Sequence, residues 1–97
     1  MPTYITLARW TQKGIEQIKE SPPRLDAFKQ AVESAGGKVK AFYMVTGQYD
    51  MVIVAEAPND DAIAKVALLT GSKGSIRSET VRAFPEGEYR KIIAALP

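Results

Sequence analysis

Five consecutive residues, Thr46-Gly47-Gln48-Tyr49-Asp50, hold the side chains best able to contact a ligand. Tyr49 is either a phenolic hydroxyl that hydrogen-bonds a ligand or an oxyanion, or an aromatic lid over its own loop. Gln48 carries an amide that both donates and accepts hydrogen bonds. Asp50 is either a general base or an acceptor for backbone N–H groups of the loop, and we favour the structural role. No catalytic motif stands beside this segment.

Three further candidates lie outside that segment, and each has a structural alternative. Trp10 and Tyr43 stand near the ends of apolar segments, where they could wall a pocket between a sheet and its helices or simply fill the core. Arg24 lies at the start of a helical pattern, where its guanidinium could hold an anionic ligand or face solvent. The predicted ligand-binding candidates are therefore Trp10, Arg24, Tyr43, Gln48, Tyr49 and Asp50.

The chain contains neither cysteine nor histidine. The absence of Cys removes thiolate nucleophiles, disulfides and thiolate metal ligands. The absence of His removes the usual general base near neutral pH and the commonest metal and haem ligand. We therefore expect no bound cofactor and no metal site, and no residue is assigned a catalytic role.

Length and charge narrow the class of protein further. The 97 residues, 45% of them apolar, suffice for one domain over residues 1–97 with a thin core. The 13 basic and 11 acidic residues are dispersed and leave a net charge of +2, unlike the basic stripe of a nucleic-acid-binding surface. The N-terminus enters a strand pattern without a basic leader, and no apolar run reaches the length of a bilayer span. We expect a cytoplasmic protein that binds neither nucleic acid nor membrane.

Four segments rich in β-branched and aromatic residues predict strands, and turn residues separate them. The strands are predicted over Thr3–Trp10, Lys38–Val45, Asp50–Ala57 and Ile76–Phe84. Two helical patterns follow Ser21 and Asn59, and each of these residues is expected to cap its helix. Gly47 is expected to supply the positive φ of a short hairpin loop. The order β-α-β-β-α-β predicts an α+β, ferredoxin-like fold with a four-stranded antiparallel sheet.

Both faces of this predicted sheet are apolar. In the first strand Tyr4 and Ala8 alternate with Ile5 and Leu7. In the second strand, Val39, Ala41, Tyr43 and Val45 are expected to oppose Phe42 and Met44. Two helices cover only one face, so the other must meet a second sheet or a ligand. We expect a homodimer packed sheet to sheet across a two-fold axis, with a higher oligomer as the open alternative.

Motifs along most of the chain carry a resemblance to a known family. They are Thr11, Gly14, Ser21, Arg24, Gly47-Gln48-Tyr49-Asp50, Glu56-Ala57-Pro58 and the strand Arg77–Phe84. Together they resemble the bacterial GYD family, with Gln48 standing between the glycine and the tyrosine of its name-giving element. The resemblance implies a small dimeric α/β-barrel protein whose biochemical role is largely unassigned. The same hairpin tip is similar to effector-binding domains of leucine-responsive transcription regulators, where it leads into a ligand-binding dimer interface.

Three classes of function remain open. We favour a small-molecule-binding or sensing module, in which aromatic side chains wall a pocket and Arg24 or Gln48 makes the polar contacts. The first alternative is a cofactor-independent monooxygenase-like enzyme, which needs a base and finds only carboxylates and tyrosines here. The second is an interaction subunit of a larger assembly, docked through the apolar tail from Tyr89 to Leu96.

Overall fold

The four strands and the two predicted helices follow the predicted order, and the structure adds a short helix after the first strand and another helix at the C-terminus. A computed structural model describes the whole chain, Met1–Pro97. The strands are β1 (Thr3–Trp10), β2 (Lys38–Met44), β3 (Met51–Glu56) and β4 (Ile76–Ala83). The helices are α1 (Gln12–Glu16), α2 (Ser21–Ser34), α3 (Asp60–Ser72) and α4 (Glu86–Ala94), with a 3₁₀ turn at Ile18–Glu20. The ferredoxin-like fold is therefore confirmed, and the β2–β3 hairpin lies where it was predicted.

All strand pairs are antiparallel, and the sheet order is β2-β3-β1-β4. Helices α2 and α3 pack on one side of the sheet, which we call the helix face. The core there is built around Phe28 and Val32 of α2, Ile53 and Ala55 of β3, and Val66 of α3. A smaller cluster joins Tyr4, Ala57 and Ile63. The two central strands thus carry most of the buried surface.

The opposite side of the sheet, which we call the free face, is apolar and uncovered. In the register of β1, Ile5 lies opposite Val54 on one side and Val81 on the other. The apolar residues of this face are Ile5, Leu7, Ala41, Tyr43, Val52, Val54, Val81 and Ala83, and none of them is buried. An antiparallel sheet with one solvated face normally shows polar residues on that face. The predicted two-sided apolarity is therefore present in the structure.

One strand departs from the predicted alternation. A β-bulge interrupts the pairing of β2 with β3 between Val39 and Ala41. The extra residue, Lys40, shifts the side-chain alternation by one position. As a result Val39 packs against the core on the helix face together with Phe42. The expectation that Val39 shares a face with Ala41 and Tyr43 was wrong.

The helix ends agree with the sequence at Asn59 and differ at Ser21. The Asn59 side-chain oxygen accepts a hydrogen bond from the Ala62 N–H at 2.9 Å and caps α3 as predicted. Helix α2 instead begins at Ser21 itself, and Glu20 in front of it makes no side-chain cap. The Ser21 hydroxyl accepts a hydrogen bond from the Trp10 indole N–H at 3.2 Å. Ser21 therefore ties α2 to the end of β1.

Gly47 does not adopt the positive φ that the sequence predicted. The glycines with positive φ are Gly36, at 89°, and Gly74, at 81°. The connection between β2 and β3 runs from residue 45 to residue 50, and it is closed by the Val45 N–H, which donates to the Asp50 carbonyl at 2.8 Å. A loop of this length does not need the left-handed residues that two-residue hairpin turns require.

Helix α4 projects from the body of the molecule. Its apolar stripe of Tyr89, Ile92 and Ile93, continued by Leu96, is about half exposed or more. The radius of gyration is 14.5 Å, whereas a compact chain of this length is expected near about 12.5 Å. An ion pair of 3.4 Å between Arg82 and Glu88 links the helix to β4. The chain thus leaves a second apolar surface without a partner.

Two glycines give a matched test of how closely α1 packs against the loop before β4. A Cβ at Gly14 would lie 2.1 Å from the Ser75 carbonyl oxygen, whereas a Cβ at Gly47 would meet nothing within 4 Å. Gly14→Ala should cost on the order of 2 kcal/mol, because α1 must move away from the loop before β4. Gly47→Ala should change the free energy of unfolding by less than about 0.5 kcal/mol. Urea unfolding followed by Trp10 fluorescence measures both, and equal losses would contradict this packing.

Candidate functional site

The predicted ligand-binding residues do not form one site. Trp10 and Arg24 line a cleft between the sheet and helices α2 and α3, which we call the helix-side cleft. Gln48, Tyr49 and Asp50 lie at the hairpin tip. Tyr43 lies on the free face with 61% of its surface exposed.

The proposed aromatic pocket between Trp10 and Tyr43 is absent. In the sheet, β3 separates β2 from β1, so the two residues stand on strands that are not neighbours. Trp10 belongs to the alternation of Tyr4 and Ala8 and faces the helices, whereas Tyr43 faces away from them. The sequence placed both near strand ends but carried no information on strand order, and this produced the error.

The helix-side cleft is narrow and mostly apolar. Its lining comprises Trp10, Ser21, Arg24, Leu25, Phe28, Met51, Ile53, Thr70, Ser75 and Ile76. Its volume of about 40 Å³ admits only a few water molecules. The Arg24 guanidinium donates to the Gln17 side-chain oxygen at 2.5 Å. No carboxylate is among the lining residues, so the cleft offers hydrogen bonds and a cation but no base.

At the hairpin tip, Tyr49 lies between a cation and a carboxylate. The Arg9 guanidinium carbon lies 4.4 Å from the centre of the Tyr49 ring, and the Arg9 Nε–H donates to the Gln48 carbonyl at 2.5 Å. The Tyr49 hydroxyl donates to the Glu79 carboxylate. This cluster borders an open depression of about 490 Å³ at the end of the free face.

The hydrogen bond to Glu79, followed by desolvation and the carboxylate's negative charge, raises the pKa of Tyr49 above its ordinary value. The positive charge of Arg9 acts in the opposite direction and does not cancel the effect. Tyr49 therefore stays protonated at neutral pH, and its hydroxyl proton is used in the hydrogen bond to Glu79. It can contribute a ring and a hydrogen-bonded hydroxyl, and it is not poised as a base.

Asp50 joins β1 to the hairpin. Its carboxylate oxygen Oδ2 accepts a hydrogen bond from the Trp10 backbone N–H at 3.0 Å. Its own N–H donates to the Ala8 carbonyl at 2.9 Å. The structural role expected for Asp50 is thus seen, but the acceptor serves the neighbouring strand rather than its own loop. Through this contact Asp50 also fixes the backbone that carries Trp10 into the helix-side cleft.

Sequence reasoning missed a second tyrosine–carboxylate pair. The Tyr4 hydroxyl donates to Asp60 Oδ1 at 2.5 Å, and this hydrogen bond is the main reason that the pKa of Tyr4 is raised. Arg82 lies nearby, 5.9 Å from the Tyr4 ring centre and 4.5 Å from that of Phe84. An inward-facing tyrosine on β1 and an acid in the first turn of α3 were both visible in the sequence. Only the packing of α3 over β1 showed that they meet.

Neither a metal cluster nor a membrane span is found in the chain. No group of three or more Asp, Glu, His or Cys residues is arranged to hold a metal ion. No helix is long and apolar enough to cross a membrane.

Comparison with known proteins places this architecture in a family. The GYD domain model matches residues 4–93. The chain belongs to the GYD domain family. The Gly47-Gln48-Tyr49-Asp50 element of this GYD domain is the hairpin tip that carries the Tyr49–Glu79 and Asp50–Trp10 contacts.

Two proteins of Thermus thermophilus are similar to this GYD domain over most of both chains. A Thermus thermophilus protein named as a glutamine synthetase and cystathionine beta-lyase binding protein is 37% identical over 86 residues, covering 88% of this chain and 90% of the relative. The crystal structure of TTHA0845, also from Thermus thermophilus, is 25% identical, with a TM-score of 0.56 over 88% of this chain and 95% of that one.

A feast or famine regulatory protein of M. tuberculosis, solved in complex with L-methionine, gives a TM-score of 0.66 at 13% identity. The match covers 88% of this GYD domain and 51% of the regulator. At this identity the likeness shows a shared fold.

Replacing Asp50 with Asn tests its role in the scaffold. Asp50→Asn keeps an acceptor oxygen for the Trp10 N–H but removes the charge, so it should lower the free energy of unfolding by about 1 kcal/mol. Asp26→Asn on the exposed side of α2 is the matched control and should change it by less than about 0.5 kcal/mol. Thermal melting measures both variants. An Asp50→Asn protein as stable as the parent would show that the Asp50 charge does not stabilise the fold.

Proposed function

We propose that this GYD domain is a homodimeric binding protein, a dimeric α/β barrel that docks on partner enzymes and holds a small molecule in each subunit. The observation that carries the proposal is the apolar surface that the chain leaves uncovered. Two parts of it have different geometry. The free face of the sheet is four strands wide, and we assign it to a second copy. The stripe on α4 is narrow and projecting, and we assign it to a partner protein.

The amount of exposed surface supports association. The chain exposes 6498 Å², whereas a compact monomer of its mass is expected to expose about 5,500 Å². The excess of about 1,000 Å² is comparable with the surface that one subunit buries in a standard interface. Burial of this excess against a partner would therefore lower the exposed surface of the chain to the area expected of a compact protein.

The composition of the free face resembles that of a subunit interface. Its centre is apolar, with Ile5, Val52 and Val54 on the two central strands. Its ends are charged, with Lys38 opposite Glu56 at one end and the Arg9–Glu79 cluster of the hairpin tip at the other. An apolar centre with a polar rim is typical of protein–protein interfaces. A two-fold axis would place the same surface on both subunits.

Helix α4 supports the docking role. Tyr89, Ile92, Ile93 and Leu96 follow the spacing i, i+3, i+4 and i+7, which gives one apolar stripe. The 9 residues of α4 span about 14 Å, a size that suits a groove on another protein. The Thermus thermophilus relative is named for its binding of two enzymes, glutamine synthetase and cystathionine beta-lyase. We propose enzymes of these two kinds as partners of α4.

The chemistry of the site favours binding over catalysis. The helix-side cleft contains no carboxylate. Asp50 and Glu79 accept hydrogen bonds from protein groups, and Tyr4 and Tyr49 are held protonated by raised pKa values. A monooxygenase-like reaction needs a base beside the substrate. One observation supports the small-molecule role: the helix-side cleft places the Arg24 guanidinium beside an apolar wall.

A charge on the free face tests the homodimer. Val54→Lys buries a cation at the centre of the proposed interface, so it should shift the protein from dimer to monomer in sedimentation at micromolar concentration. Leu68→Lys places the same charge on α3, where the Leu68 side chain is 74% exposed, and should leave the dimer intact. Circular dichroism confirms that both variants are folded. A parent that sediments as a monomer would contradict the proposal.

Matched alanine variants on α4 test the docking surface. Ile92→Ala removes part of the apolar stripe and should weaken binding to purified glutamine synthetase or cystathionine beta-lyase by about tenfold or more. Arg90→Ala on the polar side of the same helix should change the affinity by less than about threefold. Surface plasmon resonance with the enzymes of the source organism measures both. Equal weakening by the two variants, or no binding by the parent, would refute this role for α4.

A further inference from the structure

The helix-side cleft shares a wall with a second cleft between α2 and α3. The second cleft has a volume of about 70 Å³ and reaches Leu69 and Lys73 near the end of α3. Four residues line both clefts, namely Arg24, Phe28, Thr70 and Ser75. The two spaces are therefore separated by shared side chains, and Arg24 is the longest of these. A ligand that draws the Arg24 guanidinium towards itself would join the two spaces.

The two clefts taken together, which we call the joined cleft, carry positive charge without a counter-ion. Arg24 and Lys73 are its only ionisable lining residues. Neither of them takes part in the two ion pairs of the chain, which join Arg82 to Glu88 and Arg90 to Glu86. The one side-chain acceptor on Arg24 is the neutral amide of Gln17. Two unneutralised cations beside an apolar wall favour a ligand that is an anion at one end and apolar at the other.

We propose that the joined cleft binds a short aliphatic monocarboxylate of the size of 4-methylpentanoate. Its carboxylate lies between Arg24 and Lys73, and its hydrocarbon body packs against Leu25, Phe28 and Met51. The size follows from the volumes of about 40 and 70 Å³, since a single water needs about 10–15 Å³ of such space. The site deepens the small-molecule part of the proposed function and rests on it, but it does not depend on the homodimer.

The charge pattern also disfavours a close chemical relative of this ligand. A free α-amino acid with the same side chain adds an ammonium group, and the joined cleft has no carboxylate to receive it. Burying an unpaired ammonium beside two cations is costly. The cleft should therefore prefer 4-methylpentanoate to leucine, which differs from it only by the α-ammonium group.

Trp10 provides the readout for this preference. It is the single tryptophan of the chain, and it lines the cleft with its indole N–H bonded to Ser21. Titration of the protein with 4-methylpentanoate should give a saturable change in Trp10 fluorescence. Leucine and the neutral 4-methylpentanamide should bind at least about tenfold more weakly, the factor expected from one charge-assisted hydrogen bond. No saturable change up to about 10 mM acid, or equal affinity for all three, would overturn the assignment.

Matched variants locate the site. Arg24→Gln should weaken binding of 4-methylpentanoate about tenfold and leave binding of the amide unchanged, because only the carboxylate needs the cation. Lys65→Gln, at an exposed position of α3, should bind all three ligands as the parent does. Unchanged acid binding in Arg24→Gln would refute the site. Sedimentation without ligand separates this outcome from failure of the homodimer, since a monomer that still binds the acid retains the site.

Discussion

Two helices cannot cover both faces of a four-stranded sheet, and in this chain both faces carry apolar side chains. Helices α2 and α3 bury the side chains of Ile53 and Ala55, while Val52 and Val54 on the same strand stay accessible. Burial of apolar surface is the dominant favourable contribution to folding and association. The uncovered face therefore determines the expected assembly. The charged side chains around this face lie towards the ends of the sheet, with Lys38 and Glu56 at one end and Arg9 and Glu79 near the other.

The polar side chains at those ends mostly hold the scaffold. Asp50 fixes the end of β1, Glu79 receives the Tyr49 hydroxyl, and Asp60 receives the Tyr4 hydroxyl. Each carboxylate accepts a hydrogen bond from a protein donor, and at the partly buried Asp50 this satisfies a polar group that would otherwise cost stability. Arg24 differs from them because its only partner is a neutral amide. The three carboxylates therefore stabilise the fold, whereas Arg24 is the group best placed to bind a ligand.

The sequence predicted what depends on local pattern and missed what depends on strand order. The alternation in β1, the cap at Asn59 and the β2–β3 hairpin are local, and the structure confirms them. The bulge at Lys40 has no marker in composition, so the face of Val39 was assigned wrongly. The Trp10–Tyr43 pocket failed because β3 lies between β2 and β1. The Asp50–Trp10 contact was missed since it joins strands far apart in sequence.

The pairing of the free face with a second copy is the central claim, and intermolecular contacts test it most directly. In a mixture of isotope-labelled and unlabelled protein, a filtered nuclear Overhauser experiment detects only methyl groups that approach each other between chains. We expect intermolecular signals among Ile5, Leu7, Val52 and Val54, all on the free face. Intermolecular signals confined to other surfaces, or none from a protein at millimolar concentration, would contradict it.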